Sequence, residues 1–528
     1  MYKVFVADKL APEGVAALEQ YPAIKVDFAP GLSVEDAIVH ARDADGIIVR
    51  SATKVRGELL EACEKLRVVG RAGIGVDNID ISAATERGIV VLNTPDANAT
   101  TTAELAIAHM FSLSRHIPDA DRSVRNGEWT PAKFLGAELT GKTVGVVGFG
   151  TIGRLVAERC RGLKMKVVGY DPFVTEATFA EHGVDVRELD GLLAESDYVT
   201  LHCPVTEDTR GLISVERLAL MKPGARLINC ARGGLVDEAG LAEALSSGHL
   251  GGAALDVFES EPPSQSNLMS QPNAYFTPHL GASTHEAQTA VGVQIAHQIA
   301  AYLTRSEISN AINVPSIAPE ILQQLAPYLE LARKLGQLLC LMSDEALTEL
   351  STGLYGRAAE LDAHPIANEA LVGLLRDHLS IPVNQVNAGH LAKRQGINVT
   401  TISSSDSRDY LSVVQLSGTT ASGTLHLEGT LFDERQPRLV RVNDFVIEAE
   451  LEGQVVMTRH ADRPGVIGAI GELLGREGIN ITRMQVGIAS EDNRQAIAAF
   501  GVSSELSQET MDALRAIDAI DRAMQVRF

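Results

Sequence analysis

A glycine-rich turn restricts the possible folds of this chain more than any other feature. Gly148, Gly150 and Gly153 directly follow the apolar segment Thr143–Val147 and open a segment with helical spacing. Glycines at these positions permit a tight turn, close backbone approach to a pyrophosphate and close packing of helix on strand. The pattern therefore predicts a strand, a turn and a helix that together bind a dinucleotide. The cofactor-binding residues predicted here are Gly148, Gly150, Thr151, Ile152 and Gly153.

A carboxylate stands where such a fold needs one. Asp171 lies at the tip of the next predicted strand, Lys166–Tyr170. A carboxylate there accepts hydrogen bonds from the adenosine ribose hydroxyls and repels a 2′-phosphate. The sequence therefore favours NAD over NADP.

The length of 528 residues exceeds what one hydrophobic core holds. Up to residue 97, and again over residues 98–281, short apolar strands alternate with helices. This alternation predicts two doubly wound α/β units with parallel sheets, and the sheet of the second unit is predicted to have six strands. Residues 320–450 begin with helices and become rich in strands, an α+β pattern. The last 75 or so residues have the order βαββαβ, which is typical of a ferredoxin-like fold.

Composition excludes several function classes. With 46 Lys and Arg against 68 Asp and Glu, the net charge of −22 disfavours nucleic acid and anionic membranes as partners. Any anionic ligand must therefore meet locally clustered cations. Five widely spaced cysteines argue against a disulfide framework, and no apolar run reaches the length of a membrane helix. We expect a cytoplasmic protein.

Three polar residues lie near the ends of later predicted strands in the second unit. They are Arg232, Glu261 and His279. The carboxyl ends of parallel strands face the cofactor crevice. There an Arg grips a substrate carboxylate, a His takes a hydroxyl proton and a carboxylate orients the His, which is the set that oxidation of a 2-hydroxy acid requires.

The motifs G-F-G-T-I-G, N-C-A-R-G-G-L-V-D, D-V-F-E-S-E-P and T-P-H-L-G-A-S-T resemble those of the D-2-hydroxyacid dehydrogenase family, in a long form that spans the whole chain. The resemblance implies NAD-dependent oxidation of D-3-phosphoglycerate to 3-phosphohydroxypyruvate, the entry to serine synthesis. It implies that Arg232, Glu261 and His279 are catalytic. Further cofactor contacts implied by the resemblance are Cys203, Cys230, Ala231, Asp256, Gly281 and Ala282. We interpret the two cysteines as small buried hydrophobes rather than redox sensors.

Substrate choice depends on the first unit. Arg50 and Arg71 end two predicted strands and can gather a phosphate dianion; the alternative is that they are solvated strand-end cations. The family resemblance assigns Arg50, Arg71 and Asn98 to the substrate.

The resemblance also implies the domain limits. They are a discontinuous substrate domain at 1–97 and 282–312, an NAD-binding domain at 98–281, an intervening domain at 316–450 and an ACT domain at 453–528. A Pro-bearing linker is predicted at 310–319.

The C-terminal segment resembles an ACT domain, a regulatory module whose paired copies bind amino acids between chains. Asp462 can hold an amino group and Asn480 a carboxylate, with His460 nearby in sequence. We expect L-serine as effector and a homo-oligomer, either dimer or tetramer. The alternative is an assembly module without a ligand.

Two other functions stay open at this point. One is reduction of glyoxylate or hydroxypyruvate by the same catalytic residues, and the other is a non-enzymatic NAD-sensing scaffold. The family often has other residues at Ile74, Thr151 and Cys203, so side-chain contacts to the cofactor can differ there. The paired strand-end arginines and the long C-terminal extension favour the phosphorylated substrate.

Overall fold

The computed structural model describes residues 1–95, 97–264, 267–314, 317, 319–379, 381–406, 409–489 and 494–528. Within these ranges the strands form four β-sheets, each with its own helices. Residues 315, 316 and 318 of the predicted linker lie outside the described residues. None of the described helices is long and apolar enough to span a membrane.

The N-terminal unit is a five-stranded parallel sheet of order β2-β1-β3-β4-β5. Its strands are β1 (Tyr2–Val6), β2 (Ile24–Phe28), β3 (Gly46–Val49), β4 (Val68–Arg71) and β5 (Val90–Leu92), and its helices are α1 (Pro12–Glu19), α2 (Val34–Ala41), α3 (Gly57–Ala62) and α4 (Ile81–Glu86). Its central strands are continuous apolar runs because helices cover both faces.

The second unit is a seven-stranded parallel sheet of order β12-β11-β10-β9-β6-β7-β8. Its elements are α5 (Ala99–Arg115), α6 (Ile117–Arg125), β6 (Thr143–Val147), α7 (Thr151–Gly162), β7 (Lys166–Tyr170), α8 (Glu176–Glu181), β8 (Asp185–Val186), α9 (Leu189–Glu195), β9 (Tyr198–Leu201), α10 (Val215–Leu220), β10 (Arg226–Asn229), α11 (Glu238–Ser246), β11 (Gly252–Leu255) and β12 (Ala274–Phe276). The prediction of six strands missed β8, which has only two residues. The chain reverses direction across the sheet between β6 and β9, where such sheets bind ligands.

Helix α12 (His285–Arg305) follows the second sheet in sequence but packs on the first. Its Ile295 and Ile299 lie directly over Gly70 of β4, where a Cβ would come within 2.7 Å of Ile295. Glycine at this position therefore lets the helix lie close to the sheet.

The third unit is α+β, as predicted. Its elements are α13 (Pro319–Met342), β13 (Glu349–Gly356), α14 (Ala363–Leu375), α15 (Ala388–Arg394), β14 (Asn398–Ser404), β15 (Ser412–Thr419), β16 (Thr424–Phe432), β17 (Gln436–Val442) and β18 (Phe445–Glu450). The sheet order is β14-β13-β15-β16-β17-β18, with only the β13–β14 pair parallel among the described strands.

The C-terminal unit has the predicted order βαββαβ. Its elements are β19 (Gln454–Ala461), α16 (Val466–Arg476), β20 (Ile481–Ile488), β21 (Gln495–Val502), α17 (Gln508–Arg515) and β22 (Ile520–Arg527), in an antiparallel sheet of order β20-β21-β19-β22. The helix was predicted to start at Pro464 but starts at Val466. Gly465 has φ +99°, which lies outside the right-handed helical region, so the helix cannot include it.

Candidate active site

The three glycines of the turn after β6 do three different things. Gly148 has φ +91°, and a Cβ there would lie 2.7 Å from the backbone of Cys203. A Cβ on Gly153 would overlap the carbonyl oxygen of Gly148, so this glycine lets α7 pack against the turn. Gly150, at the N-cap of α7, faces open space and has no side-chain cap. The N-terminus of α7 is therefore shaped for the pyrophosphate of NAD.

Asp171 lies beside this turn at the end of β7. Its Oδ2 accepts a hydrogen bond from Phe149 N at 2.8 Å, and its Oδ1 accepts one from Phe173 N at 2.9 Å. Each carboxylate oxygen keeps a lone pair for a ribose hydroxyl. The residues present therefore fit NAD at the end where the adenosine binds.

The other predicted cofactor residues follow neighbouring strands at the same edge of the sheet. Thr151 and Ile152 begin α7. The other residues follow the strands of the same sheet: Cys203 follows β9, Cys230 and Ala231 follow β10, Asp256 follows β11, and Gly281 and Ala282 follow β12. Burial raises the pKa of the Cys203 thiol to about 11, so the sulfur stays protonated at neutral pH. This agrees with a packing role, because a reactive cysteine needs its thiolate.

His279 and Glu261 form a close pair on the loops after β12 and β11. His279 Nδ1 lies 2.7 Å from Glu261 Oε2, and Glu261 Oε1 accepts a hydrogen bond from Phe258 N at 3.1 Å. The imidazole is 43% exposed. Because Glu261 occupies Nδ1, the other ring nitrogen is left for a substrate.

Asp256 holds the loop that carries His279. The side chain is fully buried, and its carboxylate accepts hydrogen bonds from Leu280 N at 2.7 Å, Gly281 N at 2.8 Å and Thr277 Oγ1 at 2.5 Å. His279 has φ +54°, a left-handed conformation that is unfavourable for this residue. The buried carboxylate therefore stabilises the turn, a role that the sequence did not indicate.

Arg232 joins the second unit to the first. Its Nε donates to Asp77 Oδ2 at 3.2 Å, and its Nη1 donates to the carbonyl of Ala231 at 2.6 Å. The guanidinium lies over Gly75, where a Cβ would overlap it. Asp77 is 78% exposed and did not stand out in the sequence. Gly75, in the G-I-G-V-D-N segment, is the sequence signal that could have indicated this close contact.

Arg71 and Arg50 meet Arg232 in this cleft. Burial, together with the positive charges of Arg232 and Arg50, lowers the pKa of Arg71 to about 10. Arg71 Nε is buried and has no hydrogen-bond partner among the described residues. The carboxylate of Asp8 is nearby, but it accepts from Arg50 N at 2.6 Å and Thr53 Oγ1 at 2.7 Å instead.

Asn98 is the N-cap residue of α5, and its side chain makes no capping hydrogen bond. Its Oδ1 is buried and finds no partner in the part of the chain that the structure describes. An unpaired buried polar atom is costly, so its amide is available to a ligand. The structure thus brings three arginines to the cleft between the first two units, and Asn98 begins the first helix of the second unit.

The predicted effector residues are not brought together within one chain. His460 is buried on β19, with Nδ1 3.2 Å from Thr458 Oγ1, and burial lowers its pKa. Asp462 and Asn480 are exposed at opposite ends of α16. The helix between them, of 11 residues, is about 16 Å long. A site that uses both must combine two copies of the chain.

Comparisons with known proteins agree with this arrangement. Residues 107–281 match the NAD binding domain of the D-isomer specific 2-hydroxyacid dehydrogenases, residues 324–443 match the D-3-phosphoglycerate dehydrogenase intervening domain, and residues 454–519 match the ACT domain.

Full-length relatives include two bacterial enzymes, each named D-3-phosphoglycerate dehydrogenase. The one from Synechocystis is 40% identical over 100% of this chain and 95% of its own length. The one from Bacillus subtilis is 39% identical over 97% of each chain.

Solved structures match about three fifths of the chain. A protein from Thermus thermophilus is 34% identical with a TM-score of 0.55, covering 59% of this chain and 99% of its own. A glyoxylate reductase from Paecilomyes thermophila is 30% identical with a TM-score of 0.54, covering 59% and 98%. The full-length matches decide the family: this chain is an NAD-dependent 2-hydroxyacid dehydrogenase that belongs to the D-3-phosphoglycerate dehydrogenase family.

Proposed function

We propose that this enzyme oxidises D-3-phosphoglycerate to 3-phosphohydroxypyruvate with NAD, the first step of L-serine biosynthesis. The observation that carries the proposal is the convergence of Arg50, Arg71 and Arg232 in one cleft of a chain with net charge −22. A phosphorylated 2-hydroxy acid has two anionic groups that need such cations. Arg71 Nε is buried and has no acceptor among the residues that the structure describes, which supports a ligand that supplies one.

The anion-binding residues take separate roles. Arg232 follows β10, on the same sheet edge as the loop of His279, and it binds the substrate carboxylate bidentately. Arg71 and Arg50, at the ends of β4 and β3, bind the phosphate. Asn98 Oδ1 accepts from a substrate hydroxyl. The domain limits that we propose are 1–97 with 282–312 for the substrate, 98–281 for NAD, 316–450 for the intervening domain and 453–528 for the ACT domain.

His279 acts as the general base in oxidation. Its Nε2 takes the proton of the 2-hydroxyl, while Glu261 fixes the ring through Nδ1 at 2.7 Å. NAD, when bound, supplies the nicotinamide that accepts the hydride. The glycine turn and Asp171 hold the cofactor, and Asp256 keeps the His279 loop in its left-handed turn.

A steady-state assay of NADH formation tests this function. We expect D-3-phosphoglycerate to give the highest kcat/KM in a panel with D-glycerate and D-lactate, and NAD to be preferred over NADP. In the reverse direction, 3-phosphohydroxypyruvate should exceed hydroxypyruvate and glyoxylate. Preference for an unphosphorylated acid would overturn the substrate, and no turnover of any acid would overturn the catalytic assignments.

The C-terminal unit binds L-serine between two copies of the chain. This proposal rests on Asp462, an exposed carboxylate for the ammonium group, and on Asn480, an exposed amide at the other end of α16 that a second copy supplies. A homo-oligomer, dimer or tetramer, is therefore part of the proposal. Calorimetry with millimolar L-serine should show heat and inhibition. Asp462→Ala should remove both without changing kcat in the absence of serine. No heat from the intact enzyme would leave this unit an assembly module.

A further inference from the structure

We propose that His109 and Thr277 are positioning residues for the reaction: together they hold Asp256, and through it the turn that carries His279. The proposal rests on the proposed catalytic role of His279. His109 lies on α5, far in sequence from the loop that it contacts, and no motif of the active site includes it.

A chain of hydrogen bonds joins α5 to the turn. His109 Nε2 lies 3.1 Å from Thr277 Oγ1, and Thr277 Oγ1 lies 2.5 Å from Asp256 Oδ1. His109 and Asp256 are both buried. Hydrogen bonds between buried groups polarise one another, so that the chain is stronger than its separate pairs.

The direction of donation follows from Asp256. Both of its carboxylate oxygens accept a backbone N–H, from Leu280 and Gly281, and Oδ1 also accepts from Thr277 Oγ1. The Thr277 hydroxyl hydrogen therefore points to Asp256, which leaves the Thr277 oxygen to accept from His109 Nε2–H. Because the Thr277 oxygen accepts, the proton that His109 shares with it is on Nε2. Burial lowers the pKa of His109, which favours the neutral ring.

A second contact from α5 holds the other side of the same turn. Thr102 Oγ1 donates to the carbonyl of Gly281 at 2.8 Å. Thr102 lies seven residues before His109, two helical turns away on the same face. Helix α5 therefore grips the turn on both sides of His279, whose φ of +54° needs such support.

A purely structural histidine would behave differently. If His109 only filled the core of the second unit, its loss would lower the melting temperature and leave kcat unchanged. If it positions His279, its loss lowers kcat by a larger factor than it weakens NAD binding, because the glycine turn and Asp171 also contact the cofactor and lie elsewhere on the sheet edge. The split between kcat and NAD affinity therefore separates the two roles.

The experiment compares His109→Leu and Thr277→Val, singly and together, in the full-length enzyme. We expect each to lower kcat about tenfold, since small misplacement of a catalytic group is costly. The double variant should lose little more, because both residues act through one chain of bonds. NAD affinity, measured by fluorescence titration, should change by a smaller factor than kcat.

Conservative variants and a matched control complete the test. His109→Gln and Thr277→Ser keep a donor and a hydroxyl, so they should recover most of the lost kcat. Ser114→Ala removes another buried polar group from α5, one that contacts Tyr198 rather than the turn, and should lower only the melting temperature.

Two results would overturn the proposal: wild-type kcat in folded His109→Leu and Thr277→Val, or fully additive losses in the double variant. The His279→Ala variant separates this failure from that of the proposed function. If His279→Ala loses turnover while His109→Leu does not, only the positioning role is wrong. If His279→Ala keeps turnover, the catalytic assignment itself is wrong.

Discussion

The two sides of the catalytic cleft differ in how far the chain satisfies its own polar groups. On the proton-transfer side, His279 Nδ1 meets Glu261 at 2.7 Å, and Asp256 accepts three hydrogen bonds. On the anion-binding side, Arg71 Nε and Asn98 Oδ1 are buried and lack partners within the described residues. The polar groups of the first side have protein partners, whereas on the second side we expect a ligand to supply the missing hydrogen-bond partners.

This difference predicts different kinetic signatures. In the proposed function, residues on the preassembled side act on the transition state, so their loss should lower kcat. In the same proposal, residues on the incomplete side bind anionic groups that are present before and after hydride transfer, so their loss should raise KM. Each prediction below either sharpens this division or breaks it.

The largest effect is expected for His279→Ala. Loss of the general base should lower kcat by about 10²–10⁴-fold, the usual contribution of such a group. NAD affinity should stay within about twofold, because the glycine turn lies at the other end of the cofactor. Stopped-flow and fluorescence titration measure the two quantities. As a control, Glu261→Gln should lose less, since an amide can still contact Nδ1.

Near-wild-type turnover by His279→Ala would place the base elsewhere. A large loss of NAD affinity would instead mean that the two sides of the cleft are not separate.

Arg71→Ala should have the next largest effect, on KM rather than kcat. A charge-assisted hydrogen bond contributes about 1.5–3 kcal/mol, so KM for D-3-phosphoglycerate should rise roughly 10- to 100-fold. KM for D-glycerate, which lacks the phosphate, should change little. Arg71→Lys is the matched control, because it keeps the charge but not the planar donor set.

Equal losses on the two substrates would place Arg71 at the carboxylate. A fall in kcat alone would break the division between the two sides.

Local patterns predicted much of this architecture. The bounds of β6 and β7 were predicted to the residue because an apolar run ends at a glycine turn or at Asp171. Strand β8 was missed, since two residues carry no periodicity. Site residues were predictable where a short motif carries them. Gly148, Asp171 and His279 each stand in such a motif, and the chemistry of the motif indicates the role.

Two contacts between distant segments were not predictable from the sequence. Arg232 and Asp77 are 155 residues apart in sequence, and His109 and Thr277 are 168 residues apart. Neither Asp77 nor His109 differs locally from an ordinary surface acid or core histidine. Only the folded chain brings these pairs together.

Asp171→Ala should have a smaller effect that is confined to the cofactor. The carboxylate already accepts from Phe149 N and Phe173 N, so its removal loses ribose contacts and also loosens the turn. NAD affinity should fall about tenfold, consistent with one or two lost hydrogen bonds. The ratio of kcat/KM for NAD over that for NADP should fall as well, because the charge that repels a 2′-phosphate is gone. An unchanged ratio would assign cofactor choice to another residue.

The smallest effect is expected for Asp77→Asn. This variant tests whether Asp77 competes with the substrate carboxylate for Arg232. Asp77 Oδ2 accepts from Arg232 Nε at 3.2 Å, the donor that the substrate carboxylate should use. The substrate must therefore displace or share this partner. Without the charge, KM for D-3-phosphoglycerate should fall about two- to fivefold, the size of an exposed ion pair, and kcat should stay the same.

The matched control for Asp77→Asn is Asp121→Asn, which removes another exposed ion pair, with Arg125 at 2.8 Å on α6, and should leave KM unchanged. The gain in Asp77→Asn should shrink as salt rises, since screening weakens the competing pair in the parent enzyme. A higher KM would contradict this prediction. It would mean that the contact between Asp77 and Arg232 holds the two units in the geometry that binds substrate. The anion-binding side would then be as preassembled as the proton-transfer side.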